Sequence, residues 1–72
     1  MNSQIQIQFG KRIKKLRNSQ GISQEELAFR CNISKNYLSD VERGTRNVSL
    51  QAIEKIAKGL KVKESELFIF NS

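Results

Sequence analysis

The stretch from Ser23 to Leu50, SQEELAFRCNISKNYLSDVERGTRNVSL, constrains this chain more than any other segment, because it specifies two helices and the corner between them. Ser23 with Glu26 makes an S-x-x-E pattern, read as a capping box that satisfies the first free backbone donors of a helix. Leu27 and Ala28 fall on the inward side of that helix, and Ala28 is small enough for a second helix to cross close by. Cys31-Asn32-Ile33 then breaks the periodicity. Asparagine is one of the few non-glycine residues that accepts the left-handed backbone such a corner needs. Ser34 is placed to cap a second helix with apolar positions at Tyr37, Leu38 and Val41, and Gly44 is its stop.

The flanks extend the helical pattern. Ile5, Ile7 and Phe9 alternate with glutamines, which is the period of a strand, yet Ile5, Phe9, Ile13 and Leu16 also follow helical spacing. The longer pattern predicts a helix over about Gln6–Ser19, ended by Gly21. Lys11, Arg12, Lys14, Lys15 and Arg17 crowd it; most read as a solvated face, with one or two in reach of a phosphate. Beyond Gly44, Thr45-Arg46-Asn47 reads as a loop and Ser49 as the cap of a fourth helix. Leu50, Ile53, Ile56, Ala57 and Leu60 give that helix an apolar stripe wider than a lone surface helix needs. A last short helix is expected over about Glu64–Phe70. Its consecutive Leu67, Phe68, Ile69 and Phe70 do not all fit one small core, so part of the run should be exposed as a partner surface. The expected fold is all-α: a compact five-helix bundle forming a single domain, 1–72.

Composition narrows the function. Thirteen Lys and Arg against seven Asp and Glu, a formal charge of +6, fits either a polyanionic partner or an incidentally basic surface. There is no histidine, one cysteine at a buried-type position, and no glycine-rich phosphate loop. The usual acid–base, nucleophilic and metal constellations are therefore missing. Glu25 and Glu26 are adjacent and point to different sides of their helix, so they make no working pair. No enzyme activity, metal, cofactor or small-molecule ligand is expected. No apolar run approaches the ~20 residues of a membrane span and no secretory core is present, so the expectation is a cytoplasmic protein without a membrane partner.

A helix, a short turn and a helix is the layout that inserts its second helix into the major groove of DNA. Here the second helix exposes Ser34, Lys35 and Asn36 in its first turn, and Ser39 and Asp40 one turn on. Lys35 can donate to guanine and Asn36 can pair with adenine; Asp40 either accepts from a base amino group or repels phosphate. Ser34 and Ser39 complete the candidate base-reading set. Phosphate contacts are expected at Gln24, beside the free amides of a helix N-terminus, at the Tyr37 hydroxyl, and at Arg43, Arg46 and Asn47 at and beyond the reader's end. Arg46 reaching a base instead stays open.

The motif over about 23–43 resembles the phage-repressor (Cro-type) helix-turn-helix family, lambda-repressor-like in fold, with similarity from about Phe9 to Phe68. Its small residue matches Ala28, its turn Asn32, and its buried apolars Ile33, Leu38 and Val41. Asn32, Lys61 and Lys63 depart from the glycine, glycine and capping residue usual at those places. Tyr37-Leu38-Ser39 and Glu42-Arg43-Gly44-Thr45-Arg46-Asn47 further resemble restriction–modification controller proteins. The resemblance implies that Lys35, Asn36 and Asp40 face bases and that Arg17 and Glu42 form a structural ion pair. It also points to a homodimer on double-stranded DNA, paired through a surface at about 60–70, with Leu67, Phe68 and Phe70 as interface residues. Phe68 fits the monomer core equally well. The expected function is a sequence-specific transcriptional regulator, repressor and activator, on a two-fold symmetric operator. A prophage-type repressor and the antitoxin of a toxin–antitoxin pair are the alternatives.

Overall fold

A serine oxygen opens every α-helix among the described residues. The computed structural model describes residues 3–70. In it Ser3, Ser23, Ser34 and Ser49 accept hydrogen bonds from the backbone amides of Gln6, Glu26, Tyr37 and Ala52. Such caps each contribute about 1 kcal/mol relative to alanine. They start α1 (Gln4–Ser19), α2 (Gln24–Cys31), α3 (Lys35–Arg43) and α4 (Leu50–Leu60). The stops are equally local. Asn32, Gly44 and Lys61 lie in the left-handed region, with φ of 57°, 79° and 61°, so each reverses the chain as its helix ends. Asn32 and Lys61 do this with a Cβ in place.

Two close helix crossings hold the core. α1 lies on α3 at Gly10, where an added Cβ would sit 2.2 Å from the Val41 carbonyl oxygen. α4 lies on α2 at Gly59, where it would sit 2.3 Å from Cys31 Sγ. Phe9, Ile13, Leu27, Leu38, Val41, Ile56, Leu60 and Leu67 fill the space between, all buried. Arg12 Nε donates to the Glu66 carbonyl at 2.9 Å, and Gln20 Nε2 to the Leu60 carbonyl at 2.7 Å, tying α1 to the C-terminal elements.

The structure corrects the expected bundle in four places. Among the described residues there are four α-helices rather than five: the last element is a 3-10 helix, Glu64–Phe68. Lys63 gives it no side-chain cap, and the chain is already extended at Ile69. Leu67, expected at a pairing surface, is wholly buried in the protomer core instead. The first helix starts at Gln4, so the alternating Ile5, Ile7 and Phe9 are helical. Finally, the reciprocal capping box belongs to Ser3 and Gln6; at α2 only the Ser23 half is made, because Glu26 turns to Arg30 at 2.9 Å, an i,i+4 pair.

Candidate nucleic-acid interface

α3 is held by its inner face and presents its outer face to solvent. Leu38 and Val41 are buried, Ile33 and Tyr37 half-buried, while Ser34, Lys35 and Asn36 are exposed along the first turn. The Asn32 reversal returns the chain over α2, with the Ile33 amide bonded to the Ala28 carbonyl at 3.0 Å. That corner fixes the direction in which Lys35 and Asn36 project. Ser34 spends its hydroxyl on the cap to Tyr37 at 3.0 Å. Both Lys35 and Asn36 lack an intramolecular side-chain hydrogen bond among the described contacts.

Ser39 and Asp40 differ from them. Arg43 Nη1 donates to Ser39 Oγ at 3.2 Å and Arg43 Nη2 donates to Asp40 Oδ1. Arg46 Nη2 approaches Asp40 Oδ2 at 3.4 Å, and its guanidinium lies 4.7 Å from the centre of the Tyr37 ring. Five of the expected DNA-facing residues thus form one cluster across the second half of α3 and the following loop. The i,i+3 spacing of Asp40 and Arg43 signals their pairing; the approach of Arg46 depends on the Gly44 reversal. Asn47 is exposed in the same loop, beside Val48.

A buried polar anchor ties α3 to α1 and the start of α2. Arg17 Nε and Nη2 donate to Glu42 Oε2 and Oε1 at 2.7 and 3.0 Å, a bidentate pair with side chains only 11% and 3% exposed. Arg17 Nη1 also donates to the Ile22 carbonyl at 2.9 Å. Gln24 Nε2 donates to Glu42 Oε1 at 2.9 Å, so its amide braces the pair at the start of α2. Sequence reasoning assigned Gln24 to phosphate and missed this partner.

The apolar surface lies elsewhere than the run 67–70 alone. Leu50 is 84% exposed, Ile5 57%, Ile69 45% and Phe68 41%. The Phe68 ring lies tilted 5.2 Å from Phe9 and edge-on 6.1 Å from Phe70, which is half-buried. Two adjoining grooves share Ile53 and Phe68; one continues to Ile5 and Val48, the other to Leu50. Leu50 and Ile53 were read from the sequence only as part of a wide stripe. Phe29, 82% exposed on α2, stands apart from this patch.

Comparison with known proteins agrees with this geometry. A helix-turn-helix family model matches residues 13–67. The control protein C.BamHI of Bacillus amyloliquefaciens is 47% identical, over all of this chain and 90% of its own. The crystal structure of the restriction–modification controller protein C.AhdI from Aeromonas hydrophila superposes with a TM-score of 0.85 at 47% identity, covering 86% of this chain and 94% of that one. The restriction–modification controller C.Esp1396I, solved as a tetramer in complex with its natural 35 base-pair operator, gives a TM-score of 0.85 at 36% identity over 92% of this chain and 87% of that one.

Proposed function

This chain belongs to the helix-turn-helix family and, within it, to the restriction–modification controller proteins, and from that premise we propose how it works: as a homodimer that inserts α3 into the major groove of a two-fold symmetric operator. It is a regulator, not an enzyme. The observation that carries the reading is the contrast along α3 between the outward Lys35 and Asn36 and the buried Leu38 and Val41 beneath them. Lys35 donates to the acceptors of guanine and Asn36 pairs with adenine, each good contact supplying about 1–3 kcal/mol of discrimination. Arg43, Arg46, Asn47 and the Tyr37 hydroxyl lie where the sugar–phosphate backbone passes the end of the reader.

Pairing through the Leu50, Ile53, Phe68 and Ile69 surface leaves α3 free and makes one face of each protomer self-complementary. Phe70, half-buried against the core, meets Phe68 edge-on. Two readers about 34 Å apart then enter successive major grooves. The controller C.Esp1396I was solved as a tetramer in complex with its operator, and two such dimers side by side on one operator would make its occupancy depend steeply on protein concentration.

Selection of bound duplexes from a random pool tests the reading. A two-fold symmetric consensus is expected, and Lys35→Ala or Asn36→Ala should lose preference at one base pair in each half-site with helicity intact. Recovery of unrelated sequences with equal affinity would reduce the protein to a nonspecific polycation. Leu50→Asp should sediment as a folded monomer; a variant still dimeric at micromolar concentration would move the interface elsewhere.

A further inference from the structure

We propose that Asp40 is a positioning residue that holds Arg46 for DNA recognition, rather than a reader of a base. The inference rests on the reading of α3 as the DNA-facing helix and adds the role of one residue on that face.

Asp40 is occupied from both ends. Its Oδ1 takes Arg43 Nη2 and its Oδ2 takes Arg46 Nη2. Its backbone carbonyl takes the Thr45 amide at 3.0 Å and the Thr45 hydroxyl at 3.2 Å. The loop that carries Arg46 is therefore docked on residue 40 by its main chain and by its side chain. Gly44 makes this possible: it turns the chain back at φ 79° and lies so near Ile7 that a Cβ would come 2.8 Å from Ile7 Cα. Arg46 then lies between the Asp40 carboxylate and the Tyr37 ring. The ring face attracts the guanidinium, and the carboxylate fixes where along the ring it rests.

A direct reader needs an oxygen turned to a cytosine or adenine amino group. Here each oxygen already accepts from an arginine, so a base amino group would have to share it with a cation held there. The same pairs remove the repulsion that a lone carboxylate would exert on phosphate: Arg43, Arg46 and Asp40 together present a net positive cluster. Preorganising a long, loop-borne side chain lowers the ordering that binding would otherwise require. Specificity then depends on Asp40 through Arg46.

The test compares wild type, Asp40→Asn, Asp40→Ala, Arg46→Ala and the double variant Asp40→Ala/Arg46→Ala, all as the full chain with helicity monitored. Tyr37 is the one tyrosine and there is no tryptophan, so intrinsic fluorescence reports that ring alone, and NMR follows the ring-current shift of the Arg46 side chain. Without DNA, Asp40→Ala should move both signals towards those of Arg46→Ala, with Asp40→Asn between. With the selected operator and an unrelated duplex, Asp40→Ala should lower the specificity ratio about 2–5-fold, the scale of an exposed ion pair. Little of that loss should remain in the Arg46→Ala background. Unchanged Tyr37 and Arg46 signals would overturn the positioning. A loss confined to one base pair and additive with Arg46→Ala would make Asp40 a direct reader. Wild-type protein with intact signals and no preferred duplex would sink the DNA reading itself, and the recognition role with it.

Discussion

Removing the carboxylate of Glu42 should cost this protein a large part of its stability. Glu42→Ala leaves the Arg17 guanidinium, 11% exposed, with only the Ile22 carbonyl, and leaves the Gln24 amide without its acceptor. Breaking one partner of a buried pair costs about 3–5 kcal/mol, because the remaining charge stays desolvated. At ~0.05–0.15 kcal/mol per residue, a chain of this length has roughly 4–11 kcal/mol in total. The single substitution therefore takes about a quarter of it or more. Arg17→Ala should cost a similar amount, leaving Glu42 buried with Gln24 alone. Arg17→Met with Glu42→Leu removes both charges and fills the space, so the double variant should be more stable than either single one. Urea unfolding followed by circular dichroism, repeated at several protein concentrations to separate dimerisation, measures all four proteins. A loss below about 1 kcal/mol for Glu42→Ala would place the pair among exposed ion pairs and refute the burial reasoning. A double variant as damaged as the sum of the singles would show that the two side chains act independently. The same series separates folding from recognition: a folded double variant that binds operator normally assigns Arg17 to structure alone.

Gly59→Ala should lose about 1–3 kcal/mol, since its methyl would sit 2.3 Å from Cys31 Sγ; thermal unfolding should show partial recovery when Cys31→Ala is added. Lys61→Gly should gain about 0.5–1 kcal/mol, because the left-handed φ of 61° costs a side-chain-bearing residue ~1–2 kcal/mol and glycine's extra chain entropy offsets part of the relief. Burial pushes the Cys31 thiol up from 9.0 to about 11, partly offset by a hydrogen bond from the Gly59 backbone. The folded state thus keeps its proton where the unfolded one has lost it, so this contribution is present below pH 9 and fades as pH rises towards 11. Alkylation by iodoacetamide at pH 8 should accordingly track unfolding, and rapid labelling of the native protein would contradict the burial.

The helices were legible because their signals are local. A serine before an apolar-periodic run, and Asn32 or Gly44 after it, decide where the backbone can start and stop regardless of what packs on it. Where competing partners exist, the same local rules misplace detail. Glu26 satisfies the S-x-x-E pattern, yet its carboxylate bonds Arg30 one turn on, while the less conspicuous Ser3 and Gln6 make the full box and start α1 early. The apolar run at the C-terminus shows another limit. Four consecutive apolar residues require that some be exposed, but the choice of Leu67 for the core follows from where Arg12 holds the Glu66 carbonyl against α1. That is a contact between residues far apart in the chain.

The reading face itself divides along the same line. Lys35 and Asn36 stand in the first turn of α3 and make no intramolecular side-chain bond among the described contacts, so the chemistry read from the sequence stays available. Ser39 and Asp40 stand one turn later, within reach of Arg43 on the same helix and, after the Gly44 reversal, Asp40 within reach of Arg46. An acceptor among arginines on a basic chain is taken by them first. Its inventory of lone pairs then describes what it supports rather than what it reads. Gln24 is diverted differently: its amide nitrogen donates to Glu42 at the start of α2. In a domain this small and this positively charged, Ser39 and Asp40 brace the arginines, and the proposed base reading is left to Lys35 and Asn36.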